Sequence, residues 1–385
     1  MIARIRTFIL FTICFLMIAL AATAQEVRLV TKRFHAPSLE GNLFNDTPDR
    51  TVSIYLPPSY DTEPERLYPV VYLLHGFVTY GQYSWISGPD GHFADTIKPW
   101  MKDGKFREMI VAMPNSANKF QGSYYANSAT TGNWSDYIAK DVVEYMDSNY
   151  RTLPQRESRA VIGHSMGGYG GMALGLEYPD VFGCMGSMAG TLDLTQYFGR
   201  NCWNYARASE LENLADFYPL PEQTRIAIAV SAAFCPNLDN PPFYADFPWV
   251  YDDSRKPVKN QDVWDRYMEH DIPTRLAPNV DSLRRMRAIC INCGTSDQYG
   301  LLIDARRVHD ELNRLSIPHD YLEFSGNHTS GVSIGNLNAL EVFSKAMAFE
   351  MISPLENLSE QSIEVITTVS SQGKLATTWA AAKSQ

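Results

Sequence analysis

Short apolar runs bounded by glycine or proline alternate with longer stretches of helical periodicity along most of the chain. Such runs are typical of strands buried on both faces of a sheet, and the longer stretches are typical of crossover helices. The alternation predicts an α/β fold with a doubly wound, mainly parallel sheet and helices on both faces. The predicted strands begin near residues 51, 68, 108, 159, 183, 287 and 320, and the predicted helices lie near 92–102, 135–150, 166–178, 299–315 and 335–352.

Residues 191–285 interrupt this alternation. The segment is long and rich in aromatic residues and proline, as in CPNLDNPPFYADFPWVYDD from Cys235 to Asp253. A span of this size inside a compact domain is typical of a lid or a binding insertion. We therefore expect one domain over residues 27–352 with an irregular, aromatic-rich insertion that contains short helices, followed by a weakly patterned tail at residues 353–385.

The first 24 residues have the order of a secretory signal peptide. Arg4 and Arg6 precede an apolar run, and the small residues ATA end at Ala24. A single membrane anchor is the alternative, but the apolar run is short for a membrane span. We expect cleavage before Gln25, export to the periplasm or the extracellular space, and no stable membrane anchor after cleavage.

Charge excludes some classes of partner. The chain has a formal net charge of −10, which becomes −12 when Arg4 and Arg6 are removed, and no cluster of basic residues stands out. Nucleic acids and anionic membrane surfaces are therefore not expected as partners.

Five cysteines remain after the predicted cleavage, and an odd number leaves at least one unpaired within the chain. The CINC sequence at 290–293 has the spacing of a redox motif, but it lies in a predicted strand, where residues three apart point to opposite faces. No second pair of cysteines or histidines completes a metal site. We expect neither a metal nor another cofactor. The five cysteines are Cys184, Cys202, Cys235, Cys290 and Cys293.

The sequence GHSMG at 163–167 places Ser165 between a predicted strand and a predicted helix. In this context the G-x-S-x-G pattern indicates a nucleophile on a sharp turn, where larger residues at Gly163 and Gly167 would collide with the strand or the helix. The alternative is a helix N-cap followed by glycines that allow close packing.

A serine nucleophile needs a base and an orienting carboxylate, which in sheets of this kind follow in the order serine, acid, histidine. Asp297 in CGTSD follows a late strand, and His328 in FSGNH follows the next strand. Asp297 could alternatively cap a helix, and His328 could be an ordinary loop residue. The remaining candidates for the base, His270, His309 and His319, lie in charged helical patterns or before a strand.

Two backbone N–H groups are expected to form an oxyanion hole. Met166 would begin the helix after the serine, and its N–H would point to the developing negative charge. The second donor is assigned to Phe77, after the strand that ends in VVYLLHGF, where Gly76 allows the backbone to approach closely.

With these candidate triad and oxyanion-hole residues, the chain resembles the esterase D-like family of α/β hydrolases, which includes feruloyl esterases, S-formylglutathione hydrolases and mycolyltransferases. The resemblance runs from about Thr51 to Glu350, and GHSMGGYG is its most specific part. It implies a Ser165, Asp297 and His328 triad and the two oxyanion donors named above. The matching sequences are YLLHG, GSYYANSATTGNWSDYIAKDVVEYMDSNYRT, VIGHSMGGYGGMAL, CGTSD and FSGNH.

The expected function is therefore hydrolysis of carboxylic esters through an acyl-enzyme, with acetyl or feruloyl groups on carbohydrate as expected substrates. The alternatives are an acyltransferase on the same scaffold, a peptidase of related fold, and a non-catalytic carbohydrate-binding or adhesion protein. Aromatic residues near the expected active-site loops could contact substrate, or could pack the core or the lid. They are Trp85, Tyr124, Tyr125, Trp134, Phe243, Phe247 and Trp249.

Overall fold

The computed structural model describes residues 28–77, 81–87, 93–330 and 332–352. The expected signal peptide, residues 1–24, and the C-terminal tail, residues 353–385, lie outside the described residues. The strands are β1 (Arg28–His35), β2 (Asp49–Leu56), β3 (Val70–Leu74), β4 (Ile110–Pro114), β5 (Asn127–Ser128), β6 (Gly132–Asn133), β7 (Arg159–Gly163), β8 (Cys184–Met188), β9 (Trp249–Tyr251), β10 (Pro257–Lys259), β11 (Ala288–Gly294) and β12 (Asp320–Phe324).

Within the described residues, eight strands form the central sheet in the order β1-β2-β4-β3-β7-β8-β11-β12. Strand β2 pairs antiparallel with β1 and with β4. The pairs from β4 to β12 are all parallel. The carboxyl ends of these parallel strands therefore meet at one edge of the sheet, where ligands bind in folds of this kind.

The helices connect and cover these strands. They are α1 (Ser84–Ser87), α2 (Phe93–Lys102), α3 (Trp134–Asp136), which continues through a π-helical segment (Tyr137–Val142) into α4 (Val143–Asn149), α5 (Met166–Glu177), α6 (Leu194–Ala208), α7 (Glu222–Phe234), α8 (Gln261–Met268), α9 (Ile272–Leu276), α10 (Val280–Arg284), α11 (Leu301–Arg314) and α12 (Val332–Ala346).

The predicted doubly wound sheet is confirmed. Every predicted strand is present, and every residue of β3, β7 and β8 is buried. Because successive side chains on a strand point to opposite faces, burial of all of them means that both faces of the sheet are covered.

The sequence pattern did not indicate β1. This edge strand is mostly exposed and carries Lys32 and Arg33 in its middle, so it lacks an apolar run. Charged residues on an edge strand also discourage pairing with another chain.

Residues 191–285 are more regular than the expected irregular insertion. They contain α6, with 15 residues, and α7, with 13 residues, as well as the shorter α8, α9 and α10. Ten of the thirteen α7 residues are buried, so its sequence lacks the polar face that marks a surface helix. That absence explains why the pattern of polar positions did not predict it.

The start of this insertion lies against residues 271 and 272, where α9 begins. The backbone N–H of Ile272 donates to the carbonyl oxygen of Leu192 at 3.2 Å. The N–H of Leu194 donates to Oδ1 of Asp271 at 2.8 Å, and Asp271 is completely buried. The chain therefore leaves the sheet after β8 and returns beside its point of departure.

Candidate functional site

Ser165 lies on a strained turn between β7 and α5. Its backbone has φ 55° and ψ −116°, a left-handed conformation that is uncommon for a residue with a side chain. The N–H of Ser165 donates to the carbonyl of Met188 at 2.9 Å, and the N–H of His164 donates to that of Leu74 at 3.1 Å. Hydrogen bonds to both neighbouring strands therefore hold the turn in its strained form.

Close packing requires glycine at the two glycines of GHSMG, Gly163 and Gly167, but not at Gly76. A methyl group at Gly163 would lie 2.4 Å from the carbonyl oxygen of Leu74, and one at Gly167 would lie 2.2 Å from the same atom. Only glycine allows this close approach. A methyl group at Gly76 would meet no atom closer than 3.5 Å, so the close packing expected there does not depend on the absence of a side chain.

Asp297 and His328 follow two neighbouring parallel strands, β11 and β12, at the same edge of the sheet. The Nδ1 atom of His328 lies 2.7 Å from Oδ2 of Asp297, and the Asp297 side chain has no exposed surface. Oδ1 of Asp297 accepts hydrogen bonds from the N–H groups of Tyr299, at 2.9 Å, and Leu301, at 3.4 Å.

These contacts determine the charge of the carboxyl group. Burial raises the pKa of Asp297, but the hydrogen bond and charge of His328 and the two backbone N–H groups together outweigh burial. The net result is a pKa below the ordinary value for an aspartate. Asp297 is therefore ionised at neutral pH and can stabilise a positive charge on the imidazole of His328.

The backbone and ring of His328 are also fixed by neighbours. Its N–H donates to Oε1 of Gln298 at 3.1 Å, and its carbonyl accepts from Nε2 of His164 at 2.8 Å. The ring of Tyr299 meets the imidazole edge-on, with the ring centroids 4.7 Å apart. His328 is thus held on several sides while 6% of its surface stays exposed.

Ser165 and His328 open onto the same cavity, which has a volume of about 190 Å³. The cavity has two walls. Loops at the edge of the sheet form one, and the insertion forms the other. It is lined by Gly76, Phe77, Tyr124, His164, Ser165, Thr191, Tyr197, Glu222, Ile226, Tyr299, Leu301, His328 and Thr329.

The expected oxyanion donors lie beside the serine. A methyl group at Gly76 would lie 3.5 Å from Cβ of Ser165, so the loop after β3 lies against the turn that carries Ser165. Phe77 lines the cavity, and Met166 is the first residue of α5, where the helix dipole favours negative charge. The side chains of Phe77 and Met166 both approach Gly122, which indicates that the two segments lie side by side.

The imidazole of His75 hydrogen-bonds to backbone groups of this loop and of the loop after β4. Its Nδ1 donates to the carbonyl of Gly76 at 2.7 Å, and its Nε2 accepts from the N–H of Ser116 at 2.9 Å. The hydroxyl of Tyr125 donates to the carbonyl of His75 at 2.8 Å. These bonds fix the backbone that leads to Phe77.

A hydrogen bond joins the two walls of the cavity. The hydroxyl of Tyr299, in the turn after β11, donates to Oε1 of Glu222 on α7 at 2.9 Å. Burial, together with the hydrogen bond to Glu222, raises the pKa of Tyr299 to about 12. Tyr299 therefore remains a hydrogen-bond donor at neutral pH.

Sequence reasoning did not identify the four lining residues that the insertion contributes. Tyr197 follows the start of α6 by one turn, and its hydroxyl is hydrogen-bonded to that of Tyr124. Thr191, Glu222 and Ile226 are the others. No local motif marks these residues, because their role depends on how the insertion packs over the sheet edge.

Of the aromatic residues considered for substrate contact, Tyr124 lines the cavity. The ring of Trp85 is buried in the core, and Tyr125 and Trp134 are buried with hydrogen bonds to backbone carbonyls. Phe243 and Phe247 are also buried, and Trp249 lies on the β9 strand of the insertion. Five of the seven residues are thus buried away from the cavity lining, and Trp249 is partly exposed outside it.

The other polar candidates lie in different environments. His270 stacks on Phe234, with ring centroids 4.3 Å apart, and burial lowers the pKa of its imidazole to about 4. His309 and His319 are hydrogen-bonded to each other at 2.7 Å. These contacts give the three histidines structural surroundings outside the cavity lining.

The five cysteines are free thiols. Cys290 and Cys293 are both fully buried, and burial raises the pKa of each thiol far above its ordinary value. A buried thiol of this kind is a poor nucleophile and a poor metal ligand.

The described residues contain neither a metal-binding cluster nor a membrane-spanning helix. No three histidine, cysteine, aspartate or glutamate side chains there group in a way that could hold a metal ion. In the same part of the chain, no helix combines the length and the hydropathy needed to cross a bilayer.

Two curated relatives are similar to parts of this chain. An esterase of Mycobacterium tuberculosis is 29% identical over 155 residues, which are 38% of this chain and 30% of that protein. An endo-1,4-beta-xylanase/feruloyl esterase of Xylanibacter ruminicola is 31% identical over 148 residues, which are 37% of this chain and 19% of that protein. The matched stretch therefore spans less than a third of the length of either relative.

A solved structure and a family model cover more of the chain. A ferulic acid esterase superposes with a TM-score of 0.58 at 18% identity, covering 84% of this chain and 99% of the other, which establishes a shared fold. The family model described as Putative esterase matches residues 47–331. This match spans most of the sheet and the whole candidate site, and the chain therefore belongs to the Putative esterase family of α/β-hydrolase fold.

Proposed function

We propose that this protein is a serine carboxylesterase in which Ser165 is the nucleophile, His328 the general base and Asp297 the group that orients the base. One observation carries the proposal. The buried Asp297 carboxylate hydrogen-bonds Nδ1 of His328 at 2.7 Å, and that imidazole shares a cavity with a serine on a strained turn. This combination matches the requirements for activating a neutral hydroxyl.

In the proposed reaction, His328 takes the proton of Ser165 as the serine oxygen attacks the ester carbonyl. The N–H groups of Phe77 and Met166 stabilise the tetrahedral oxyanion. The protonated imidazole then gives its proton to the departing alcohol, which leaves an acyl-enzyme. Water, deprotonated by His328, attacks the acyl group and releases the acid and the free serine. Asp297 keeps the correct tautomer of His328 and stabilises its cation.

The proposed substrates are carbohydrate-linked acetyl or feruloyl esters. A cavity of about 190 Å³ with the aromatic side chains of Tyr124, Tyr197 and Tyr299 in its walls suits a small or flat acyl group. The name of the Xylanibacter ruminicola relative joins a xylanase with a feruloyl esterase, which supports this substrate class.

We also propose that the protein is exported and that residues 1–24 are removed. The support is the sequence of this segment, with Arg4 and Arg6 before the apolar run and small residues before Gln25. N-terminal sequencing of the protein recovered outside the cytoplasm tests this, and a mature chain that begins at Met1 would contradict it.

The catalytic proposal is tested with Ser165→Ala and with Ser254→Ala as the control, since Ser254 is an exposed serine in the β9–β10 turn. We expect Ser165→Ala to lower kcat on p-nitrophenyl acetate by about 10⁵-fold or more. We expect Ser254→Ala to keep the wild-type rate. A fluorophosphonate should add to the wild type at Ser165, as shown by mass spectrometry of the peptides, and should not add to Ser165→Ala.

Near wild-type turnover by a folded Ser165→Ala variant would refute the mechanism. The acyltransferase alternative is tested separately, by analysing the products formed with added sugar acceptors. Hydrolysis and transfer pass through the same acyl-enzyme, so only the products distinguish them. New sugar esters in place of the free acid would identify a transferase.

A further inference from the structure

Four aromatic side chains on the insertion form two ring pairs outside the cavity lining, and two of the four, Trp249 and Trp264, also pack against the core. Trp203 on α6 and Tyr251 on β9 have ring centroids 6.1 Å apart. Trp249 on β9 and Trp264 on α8 have ring centroids 6.3 Å apart. Trp249 and Tyr251 are two residues apart on one strand, so they point to the same side. We call Trp203, Trp249, Tyr251 and Trp264 the aromatic platform.

The platform is open to solvent at one end. Trp203 is 56% exposed, and the other three residues are partly exposed. A single exposed apolar residue is ordinary on a protein surface, but a contiguous group of large aromatic rings indicates a binding surface.

Gly199 lies on the same face of α6 as Trp203. It lies one turn before Trp203 inside α6, and long side chains on a helix lean towards the preceding turn. Glycine destabilises a helix interior relative to alanine, yet a methyl group at Gly199 would meet no atom within 4 Å. Packing therefore does not require a glycine at this position, and a larger side chain here would lie one helical turn from Trp203.

Charged groups border the aromatic rings. The guanidinium of Arg255 lies 4.3 Å from the ring centroid of Tyr251 and is ion-paired with the exposed Glu210. Nζ of Lys259 lies 3.9 Å from the ring centroid of Trp264 and 5.8 Å from that of Trp249. Cationic hydrogen-bond donors therefore lie over one face of the Tyr251 ring and one face of the Trp264 ring, and the acceptor Glu210 lies beside Arg255.

This combination suits a sugar chain. A pyranose ring has apolar C–H faces that stack on aromatic rings and hydroxyl groups that hydrogen-bond to charged side chains at its edge. A stable protein interface would instead have few charged residues at its centre. A chain with a net charge of −10 is not suited to nucleic acid.

The platform is linked to the candidate site by one helix. Helix α6 carries Tyr197 in the wall of the cavity and Trp203 in the platform, six residues further along, or about 9 Å along the helix axis. We propose that the platform binds the sugar chain of a polysaccharide whose ester group enters the cavity. This inference rests on the proposed carbohydrate-esterase function.

The test measures depletion of the protein from solution by insoluble arabinoxylan, with cellulose and mannan as additional polysaccharides, in the full-length Ser165→Ala background so that no ester is cleaved. We expect Trp203→Ala to weaken binding about fivefold to tenfold, which corresponds to the loss of one stacked ring. Tyr218→Ala is the matched control, because Tyr218 is 55% exposed and outside the platform, and it should bind as the parent does.

A second variant excludes misfolding as the cause. Gly199→Leu improves the helix propensity of α6 and adds a side chain beside the Trp203 ring. We expect it to weaken binding to arabinoxylan while thermal stability is unchanged or higher. In the Ser165-containing protein, both variants should hydrolyse soluble p-nitrophenyl acetate at the wild-type rate.

Failure to bind any of the three polysaccharides would overturn the inference, as would unchanged binding by both Trp203→Ala and Gly199→Leu. A platform that instead pairs with a second copy of the chain would show concentration-dependent association in sedimentation, abolished by Trp203→Ala, with polysaccharide binding unaffected. Failure of the esterase proposal is separate, because it appears as ester hydrolysis that persists in Ser165→Ala, whatever the binding result.

Discussion

Nδ1 of His328 and Oδ2 of Asp297 lie 2.7 Å apart at the ends of two adjacent strands, and the carboxyl side chain is wholly buried. This bond fixes which nitrogen of the imidazole carries the proton, so that Nε2 is left to accept one. Asp297→Asn removes the negative charge and can donate a hydrogen bond to Nδ1, which favours the wrong tautomer.

We therefore expect Asp297→Asn to lower kcat on an aryl acetate by about 10⁴-fold with little change in KM. Steady-state kinetics measures this, with circular dichroism to check folding. The control is Asp310→Asn, which changes an exposed carboxylate on α11 and should leave kcat unchanged. A kcat loss of less than tenfold in folded Asp297→Asn would contradict the assigned role.

His270 should make stability depend on pH. Its imidazole has a pKa of about 4 in the folded chain, against an ordinary value of 6.5, mainly because of burial and secondarily because of Arg275. Below pH 6.5 the unfolded chain takes up a proton here that the folded chain does not. The free energy of unfolding therefore falls as pH decreases from 6.5, by up to about 3 kcal/mol once pH is below about 4.

Urea unfolding of the wild type and of His270→Gln between pH 7 and 4 measures this contribution as a difference. We expect the variant to be less stable at pH 7, because it loses the stacking on Phe234, but to lose less stability on acidification. The difference between the two proteins should narrow as pH falls. Parallel curves would show that His270 titrates alike in the folded and unfolded chains.

Substitution by alanine should destabilise the protein at Gly167 and have little effect at Gly76. A methyl group at Gly167 would lie 2.2 Å from a backbone oxygen in β3, whereas one at Gly76 finds ordinary contacts at 3.5 Å. We expect Gly167→Ala to destabilise the fold by about 1–3 kcal/mol or more and to reduce activity strongly. Gly76→Ala should stay within about 1 kcal/mol of the wild type. Thermal unfolding and aryl acetate hydrolysis measure both effects, and equal behaviour of the two variants would contradict the close approach of Gly167 to β3.

The Tyr299–Glu222 hydrogen bond should affect substrate fit more than chemistry. Tyr299→Phe keeps the ring against His328 but loses the hydroxyl that bonds Glu222 across the cavity. With one hydrogen bond worth about 0.5–1.5 kcal/mol, we expect KM to rise about twofold to tenfold with kcat little changed. Glu222→Gln, which can still accept from the hydroxyl, should be milder.

The measurement compares acetyl, butyryl and feruloyl esters of one alcohol. The Tyr299→Phe effect should vary with the acyl group, since the bond joins the two walls that enclose it. A fall in kcat alone, equal for all three esters, would indicate instead that Tyr299 acts by positioning His328.

The sequence predicted the sheet, and it indicated the three candidate catalytic residues, because both depend on local signals. Seven strands carry short, mainly apolar runs, and Ser165, Asp297 and His328 each follow a strand in a glycine-containing turn. The order of strands then brings those turns to one edge. Strand β1 lacked such a signal, because an exposed edge strand has no apolar run.

The walls of the cavity could not be predicted for a different reason. Tyr197, Glu222 and Ile226 reach it through the packing of α6 and α7 over the sheet edge, which no short motif encodes. Conversely, Trp85 and Trp134 resemble binding residues in sequence but are core residues in the fold. A tryptophan has the same apolar surface in both settings, so its identity alone does not distinguish them.

Residues 193–271 of the insertion begin and end at one place, where Leu192 contacts Ile272 and Leu194 contacts Asp271, and this has an engineering consequence. A segment that departs from and returns to one point can be exchanged for another of different length without moving the strands on either side. The groups proposed to break the ester come from the sheet, whereas much of the surface that would select it comes from this one contiguous segment. Transplanting residues 193–271 between related chains should therefore transfer substrate preference as a unit.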